Sequence, residues 1–244
     1  MKLIILNITA YKEKDAVVNG ISEEGFLSFR VPGLFSPKSK FASLNNQLSI
    51  IEPVLSESKT TKHLTLKEAQ LLFSPMQGQM DFHYVTAITI LLQAMNKLVQ
   101  DEDKALLYQD LFNALLALKN KVNPYVITLK FLISLVNQTG YELSVGGCVR
   151  CGAKKNIVAF SFLEGGFICK DHFTKDDHSD LELSEMAYFR SVFLHNGYAF
   201  EEKNVDEKTT ISLLKKINIF IADAYVNSFI THLKKLSNIR YINY

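Results

Sequence analysis

Apolar and polar positions alternate in short runs over residues 1–78 and then shift to three- and four-residue spacing. The first pattern predicts strands, because side chains on an extended chain point to opposite faces in turn. Leu3 to Ala10 and Ala16 to Ile21 are two such runs, separated by a polar tetrad and closed by Ser22-Glu23-Glu24-Gly25. In Phe26-Leu27-Ser28-Phe29-Arg30-Val31 one face holds Leu27, Phe29 and Val31, and the other Phe26, Ser28 and Arg30. Pro32-Gly33 and Ser36-Pro37 punctuate a loop, after which Gln47 to Leu55 and Thr60 to Leu64 complete about five strands. Five short strands joined by turns in fewer than 80 residues predict a small barrel of the OB type.

From residue 79 the spacing predicts helices. Val85, Ile88, Leu92, Met95 and Val99 form one stripe between Phe82 and Val99, and Leu107, Leu111, Leu115 and Leu118 a second between Lys104 and Lys119. Asn123-Pro124 supplies an N-cap followed by proline in the first helical position. The helix it opens, through Val126, Leu129, Ile133 and Val136, ends before Gly140. Ser184 opens a further helix to Leu194, broken near Asn196-Gly197, and Thr210 to Leu236 is a long last one. Its Leu214, Ile217, Ile221, Ala224 and Tyr225 can close a bundle, and Lys234, Lys235 and Arg240 suit its C-terminal end. The reading is an α+β multidomain chain: an OB-fold β-barrel at 1–78, a helical bundle from 79–143 and 178–244, and an inserted module at 144–177.

That module holds all three cysteines of the chain. Cys148 and Cys151, then Cys169 and His172, form C-x2-C and C-x2-H pairs separated by 17 residues. Two short-loop pairs of soft and borderline donors suit a tetrahedral zinc ion, one per chain. Four protein ligands leave no open position for water, so the site reads as structural. Gly152 suits the tight knuckle, and Gly165-Gly166 a turn in a small hairpin with a ligand pair near each end. His178 lies close enough in sequence to compete with His172. Metal-bound thiols fit a reducing cytoplasm.

Charge adds one local signal. The net charge of +2 excludes a grossly basic coat, yet no acidic residue occurs between Glu24 and Glu52. That interval holds Arg30, Lys38 and Lys40 among Phe26, Phe29, Phe35 and Phe41. Cations beside aromatic faces are the ingredients of a single-strand-binding surface, with Arg30, Lys38 and Lys40 on phosphates and Phe26, Phe35 or Phe41 on bases. At least half of those rings belong to a barrel core by ordinary burial preference. The competing reading is a zinc-stapled interaction hub with no nucleic-acid affinity of its own.

No phosphate loop, dinucleotide fingerprint, nucleophile elbow or H-E-x-x-H pair is present, and His63, His83, His178, His195 and His232 are scattered. The expectation is a protein that is not an enzyme. The first apolar run breaks at Asn7 and Thr9, and no stretch reaches eighteen apolar residues. A cytoplasmic chain with no membrane partner is expected.

Pro32 to Lys40, Asp110 to Leu116, Phe131 to Tyr141, Cys148 to Gly152 and Phe160 to Cys169 together resemble the RecO family of bacterial recombination-repair mediators. The last two segments are the most specific part of the likeness. The resemblance implies a non-enzymatic protein of the bacterial nucleoid. Its OB-fold would bind single- and double-stranded DNA and promote strand annealing. It would act with RecR, and often RecF, to load RecA onto DNA covered by single-strand-binding protein. The helical part and metal module would present surfaces to RecR and to single-strand-binding protein. Two departures stand out: Pro32, Leu34 and Phe35 occupy places where the family has basic residues, and His172 stands where cysteine is more usual.

Overall fold

The computed structural model describes residues 1–57, 63–76, 81–101 and 103–224. Its contacts divide the chain into two compact units, Met1–Asn120 and Lys121–Tyr244. The first two helices therefore group with the barrel by compactness, whereas sequence patterning counts them with the bundle.

In the first unit, β1 (Leu3–Tyr11), β2 (Asp15–Ser22), β3 (Gly25–Val31), β4 (Ile50–Glu57) and β5 (Leu64–Phe73) form a closed barrel in the order β1-β2-β3-β5-β4. This is an OB-like barrel. β2 is antiparallel to both neighbours, through pairs such as Ile8↔Val18 and Val18↔Phe29. Closure needs β1 to pair with β4 at Leu3↔Ile51 and Ile4↔Ile50, and β3 to meet β5 in parallel at Arg30↔Thr65. The alternation expected in β3 holds: Phe29 and Val31 are buried while Ser28 and Arg30 are exposed. Leu3, Ile5, Val18, Phe29, Val31, Leu34, Phe41, Leu44, Ile51 and Leu66 fill the interior.

One strand differs from its prediction. Most of 60–64 lies outside the described residues, and the fifth strand runs from Leu64 to Phe73. Lys67-Glu68 and Gln70 put polar side chains in mid-strand, and a register shift between Val54 and Leu55 of its partner disturbs the alternation that would reveal it.

Two helices complete this unit, α1 (Phe82–Lys97) and α2 (Tyr108–Lys119). Asp81 caps α1 by accepting from the Tyr84 N–H at 2.8 Å. The buried face of α1 is Thr86, Ala87, Ile90, Leu91, Ala94 and Met95, while Val85 is exposed. Of the predicted stripe Met95 and Val99 are buried, Ile88 and Leu92 half-buried and Val85 exposed, because α1 is apolar around most of its circumference and spacing alone does not fix the inward face. In α2 the predicted Leu111, Leu115 and Leu118 are all buried.

The second unit opens with α3 (Pro124–Gln138), where the Asn123 Oδ1 accepts from the N–H groups of Tyr125 and Val126. Side chains on every face from Tyr125 to Leu129 are buried, as befits a central helix. It packs against α4 (Leu183–Leu194) and α5 (Glu207–Ala224). Leu214, Ile217 and Ile221 of α5 are fully buried, as their spacing predicts. Tyr225, Lys234, Lys235 and Arg240, with the rest of the predicted long helix, lie outside the described residues. Between α3 and α4 comes a three-stranded sheet of β6 (Ser144–Cys148), β7 (Ile157–Ser161) and β8 (Gly166–Cys169), in the order β6-β8-β7. The expected hairpin is β7–β8; Cys148 comes instead from a third strand, parallel to β8. Among the described residues no helix is long and apolar enough to cross a membrane.

Candidate metal centre and nucleic-acid interface

The small sheet brings the four sulfur and nitrogen donors together. Cys148 ends β6, and its backbone folds back at once: its N–H donates to the Ala153 carbonyl at 2.8 Å and its carbonyl accepts from Gly152 at 2.7 Å. Gly152 takes a φ of +77°, the left-handed conformation that closes such a knuckle cheaply only without a Cβ. Cys169 ends β8 and starts a single 3-10 turn, Lys170–His172, which turns the imidazole back toward its own sulfur. One ligand atom from each of Cys148, Cys151, Cys169 and His172 lies within 4.8 Å of the others.

The spacing fits a tetrahedral ion. Zinc–sulfur bonds of about 2.3 Å and zinc–nitrogen bonds of about 2.0 Å put sulfurs about 3.8 Å apart and a sulfur and nitrogen about 3.5 Å apart. Cys151 Sγ and Cys169 Sγ are 3.7 Å apart, and Cys169 Sγ and His172 Nδ1 are 3.3 Å apart. Burial pushes the Cys148 thiol up, but N–H groups of Cys169, Arg150 and Cys151 outweigh it and bring it down to about 7. At Cys151 the Ala153 N–H pulls the thiol down, yet desolvation and the sulfurs of Cys169 and Cys148 leave it raised. Crowded, unpaired thiols that resist ionising together are what a divalent cation relieves. His178 stands outside the cluster, 85% exposed and 3.4 Å from the Asp180 carboxylate.

Arg150 sits inside the knuckle. Its Nε donates to Glu164 at 2.8 Å and its Nη2 to the same carboxylate. Asp177 accepts from Nη1 at 2.9 Å and Nη2 at 2.6 Å, and the His172 carbonyl accepts from Nη1. This guanidinium holds Glu164 and Asp177 below the usual carboxylate range, and they raise its own affinity for the proton.

The barrel carries the second site. Phe35 N–H donates to the Lys14 carbonyl at 2.9 Å, and Gly33 N–H to Asp15 Oδ1 at 2.7 Å. These bonds lay the Pro32–Lys40 loop beside the β1–β2 turn. Arg30 pairs with Asp15 at 2.5 Å, and the Gly33 N–H together with Arg30 lowers the pKa of that carboxylate. An open cleft of about 510 Å3 lies here, lined by Tyr11, Ser28, Arg30, His63 and Thr65 among others. Lys12 Nζ and Arg30 Cζ lie 5.4 and 5.9 Å from the centre of the Tyr11 ring, which is 44% exposed.

The predicted contact residues are placed unevenly. Lys38 is exposed, and Phe35 is 39% exposed. Lys40 Nζ reaches the Lys67 carbonyl at 3.0 Å and lies 4.7 Å over the Phe41 ring. Phe41 itself is 5% exposed and belongs to the barrel core, so its ring packs under Lys40 and is closed to a base. Phe29 is buried too, and Phe26 is half-buried under Lys104 at 5.8 Å. Sequence reasoning missed Tyr11, Lys12 and Lys14, which precede the acid-free interval and interleave with Glu13 and Asp15. The loop's bonds to the β1–β2 turn, with the contacts of Arg30 to Asp15 and Tyr11, unite them with it.

Comparison with known proteins gives the family of the chain. The chain is 23% identical over 194 residues to the DNA repair protein RecO of Halalkalibacterium halodurans, covering 79% of this chain and 76% of that protein. It is 24% identical over 177 residues to the DNA repair protein RecO of Bacillus cytotoxicus, covering 72% and 71%. Residues 79–226, more than half of the chain, match the family described as Recombination protein O C terminal. The chain belongs to that RecO family.

Proposed function

We propose that this chain is a DNA-binding mediator of recombinational repair, working at the bacterial nucleoid in the cytoplasm and without catalysis of its own. The observation that carries the reading is the run of exposed cations around the barrel cleft: Lys12 lies over the Tyr11 ring that lines it, and the Lys14 carbonyl is bonded to the loop that bears exposed Lys38 and Lys40. Lysines on phosphates and Tyr11 or Phe35 against a base would hold a single strand across the barrel, with Arg30 at its margin. The same charges would draw a second strand or a duplex to this surface by offsetting phosphate repulsion, which is what strand annealing requires. Within the pathway its relatives are named for, this would place the chain with RecR and RecF, helping RecA onto DNA covered by single-strand-binding protein.

The 1–78 barrel is the DNA-binding part in this reading, and 79–143 with 178–244 the helical part. The 144–177 module holds one structural zinc ion through Cys148, Cys151, Cys169 and His172. Bound there, zinc would staple the Cys148–Cys151 knuckle to the Cys169–His172 turn.

The test is an anisotropy titration of a fluorescent single-stranded oligonucleotide at several salt concentrations. Each phosphate neutralised on a single strand contributes about 0.7 to the slope of log K against log salt. Lys38→Ala with Lys40→Ala should therefore flatten the slope by about 1.4. Between 50 and 200 mM salt, that removes about sevenfold of the affinity loss. An unchanged slope refutes the assignment of these lysines, and absence of binding at low salt favours the interaction hub. Metal analysis should find about one zinc per chain.

A further inference from the structure

We propose that Arg150 is a positioning residue for the metal centre: it fixes the turn that presents His172 and so sets which histidine completes the ligand set. The inference rests on the zinc reading above. A guanidinium has five N–H donors, and all five of Arg150 are engaged: two on Glu164, two on Asp177 and one on the His172 carbonyl. The bond to His172 matters most, because it ties the backbone of the fourth ligand to the loop between the first two. Asp177 extends the clamp by accepting from Thr174 N–H at 2.7 Å and Thr174 Oγ1 at 3.0 Å, so the segment from His172 to Asp177 is folded onto one carboxylate. His178 follows at once and is turned out toward Asp180.

The arrangement explains a choice that spacing leaves open. Both histidines are near enough in sequence to complete the site, and only one faces the sulfurs. The knuckle that supplies Cys148 and Cys151 also supplies, from the residue between them, the group that orients the other half of the site. A saturated guanidinium has no donor left for a phosphate, so Arg150 is assigned to the metal centre and not to DNA. Lysine, with three donors on a point charge, cannot reproduce two bidentate pairs and a carbonyl bond.

The test measures zinc affinity of the full chain by competition with a chromophoric chelator, alongside visible spectra of the cobalt(II)-substituted protein. Outer groups that orient a ligand are worth 10–100-fold in metal affinity. Arg150→Ala should weaken zinc binding by about that factor, and Arg150→Lys and Asp177→Asn, which disturb the fold less, by a smaller but measurable one. His178→Ala should leave affinity and the cobalt spectrum unchanged. The decisive comparison is Arg150→Ala made in a His172→Ala background. If Arg150 acts through His172, it should cost less than twofold more there. An equal loss in both backgrounds overturns the proposal in favour of a general stabilising role, as does wild-type affinity in Arg150→Ala. If the unmutated chain binds no zinc or cobalt, the metal reading fails, a separate outcome from failure of the clamp.

Discussion

Phe160 links the ligand-bearing sheet to the helices beside it, and its truncation tests that linkage. The side chain is fully buried on β7, with ring centroids 5.0 Å from Phe162, 5.5 Å from Phe167 and 5.0 Å from Phe189, all edge to face. Phe167 lies on β8, two residues before Cys169, and Phe189 on α4. Phe160→Ala removes the ring from a site closed on all sides, a change that costs about 3–5 kcal/mol. At a slope of about 1.5 kcal/mol/M in urea, the midpoint should fall by about 2–3 M. Phe160→Leu keeps much of the volume but loses the ring geometry, and should cost about 1–2 kcal/mol. Leu163→Ala, at a position 92% exposed two residues beyond the strand, is the control and should leave the midpoint unchanged. Urea unfolding followed by circular dichroism measures all three. A Phe160→Ala midpoint within about 0.5 M of wild type would refute the claim that this aromatic cluster holds the sheet to the helices.

Two further outcomes follow from the second unit. A Cβ at Gly166 would lie 2.4 Å from the Ser144 carbonyl oxygen, backbone that cannot turn aside, so Gly166→Ala should push β6 off β8 and cost about 3 kcal/mol or more. Wild-type stability in that variant would contradict the close approach. Burial pushes the Glu185 carboxyl up, but Lys216 Nζ at 2.5 Å, Ser212 Oγ at 2.6 Å and the Glu182 N–H leave it lowered overall. Its contribution is therefore fully present above the unfolded carboxylate value of about 4.3 and is lost as pH falls through the lower folded value. The gap in urea midpoint between wild type and Glu185→Gln should narrow below pH 4.3; a constant gap would disprove the linkage.

Much of this fold was legible where local chemistry and tertiary packing agree. Asn123-Pro124 starts α3, Leu111, Leu115 and Leu118 face inward, and β3 alternates because one side meets the barrel core. Legibility failed where packing decided between equal local choices. The inward face of α1 was not fixed by a helix apolar nearly all round, and Lys67-Glu68 hid β5. The four donors were readable because metal ligation demands residue types at short spacing. The proposed nucleic-acid surface was readable only in part. Its lysines are visible as letters, but burial of Phe41 and the docking of the loop against the β1–β2 turn are long-range facts.

If the barrel binds DNA as proposed, the pairing of Arg30 with Asp15 has a consequence for what it could discriminate. Bases are told apart most sharply by planar, forked donors, above all an arginine meeting two acceptors on a guanine edge. Among the described residues the arginine lining this cleft is already committed to a carboxylate, and the cation over the Tyr11 ring beside it is Lys12. An ammonium is a point charge on a flexible stem, indifferent to which base hangs from the phosphate it touches. On the DNA-binding reading proposed above, a surface so equipped would respond to charge density and to salt while remaining blind to sequence, which would suit repair of damage wherever it happens to fall.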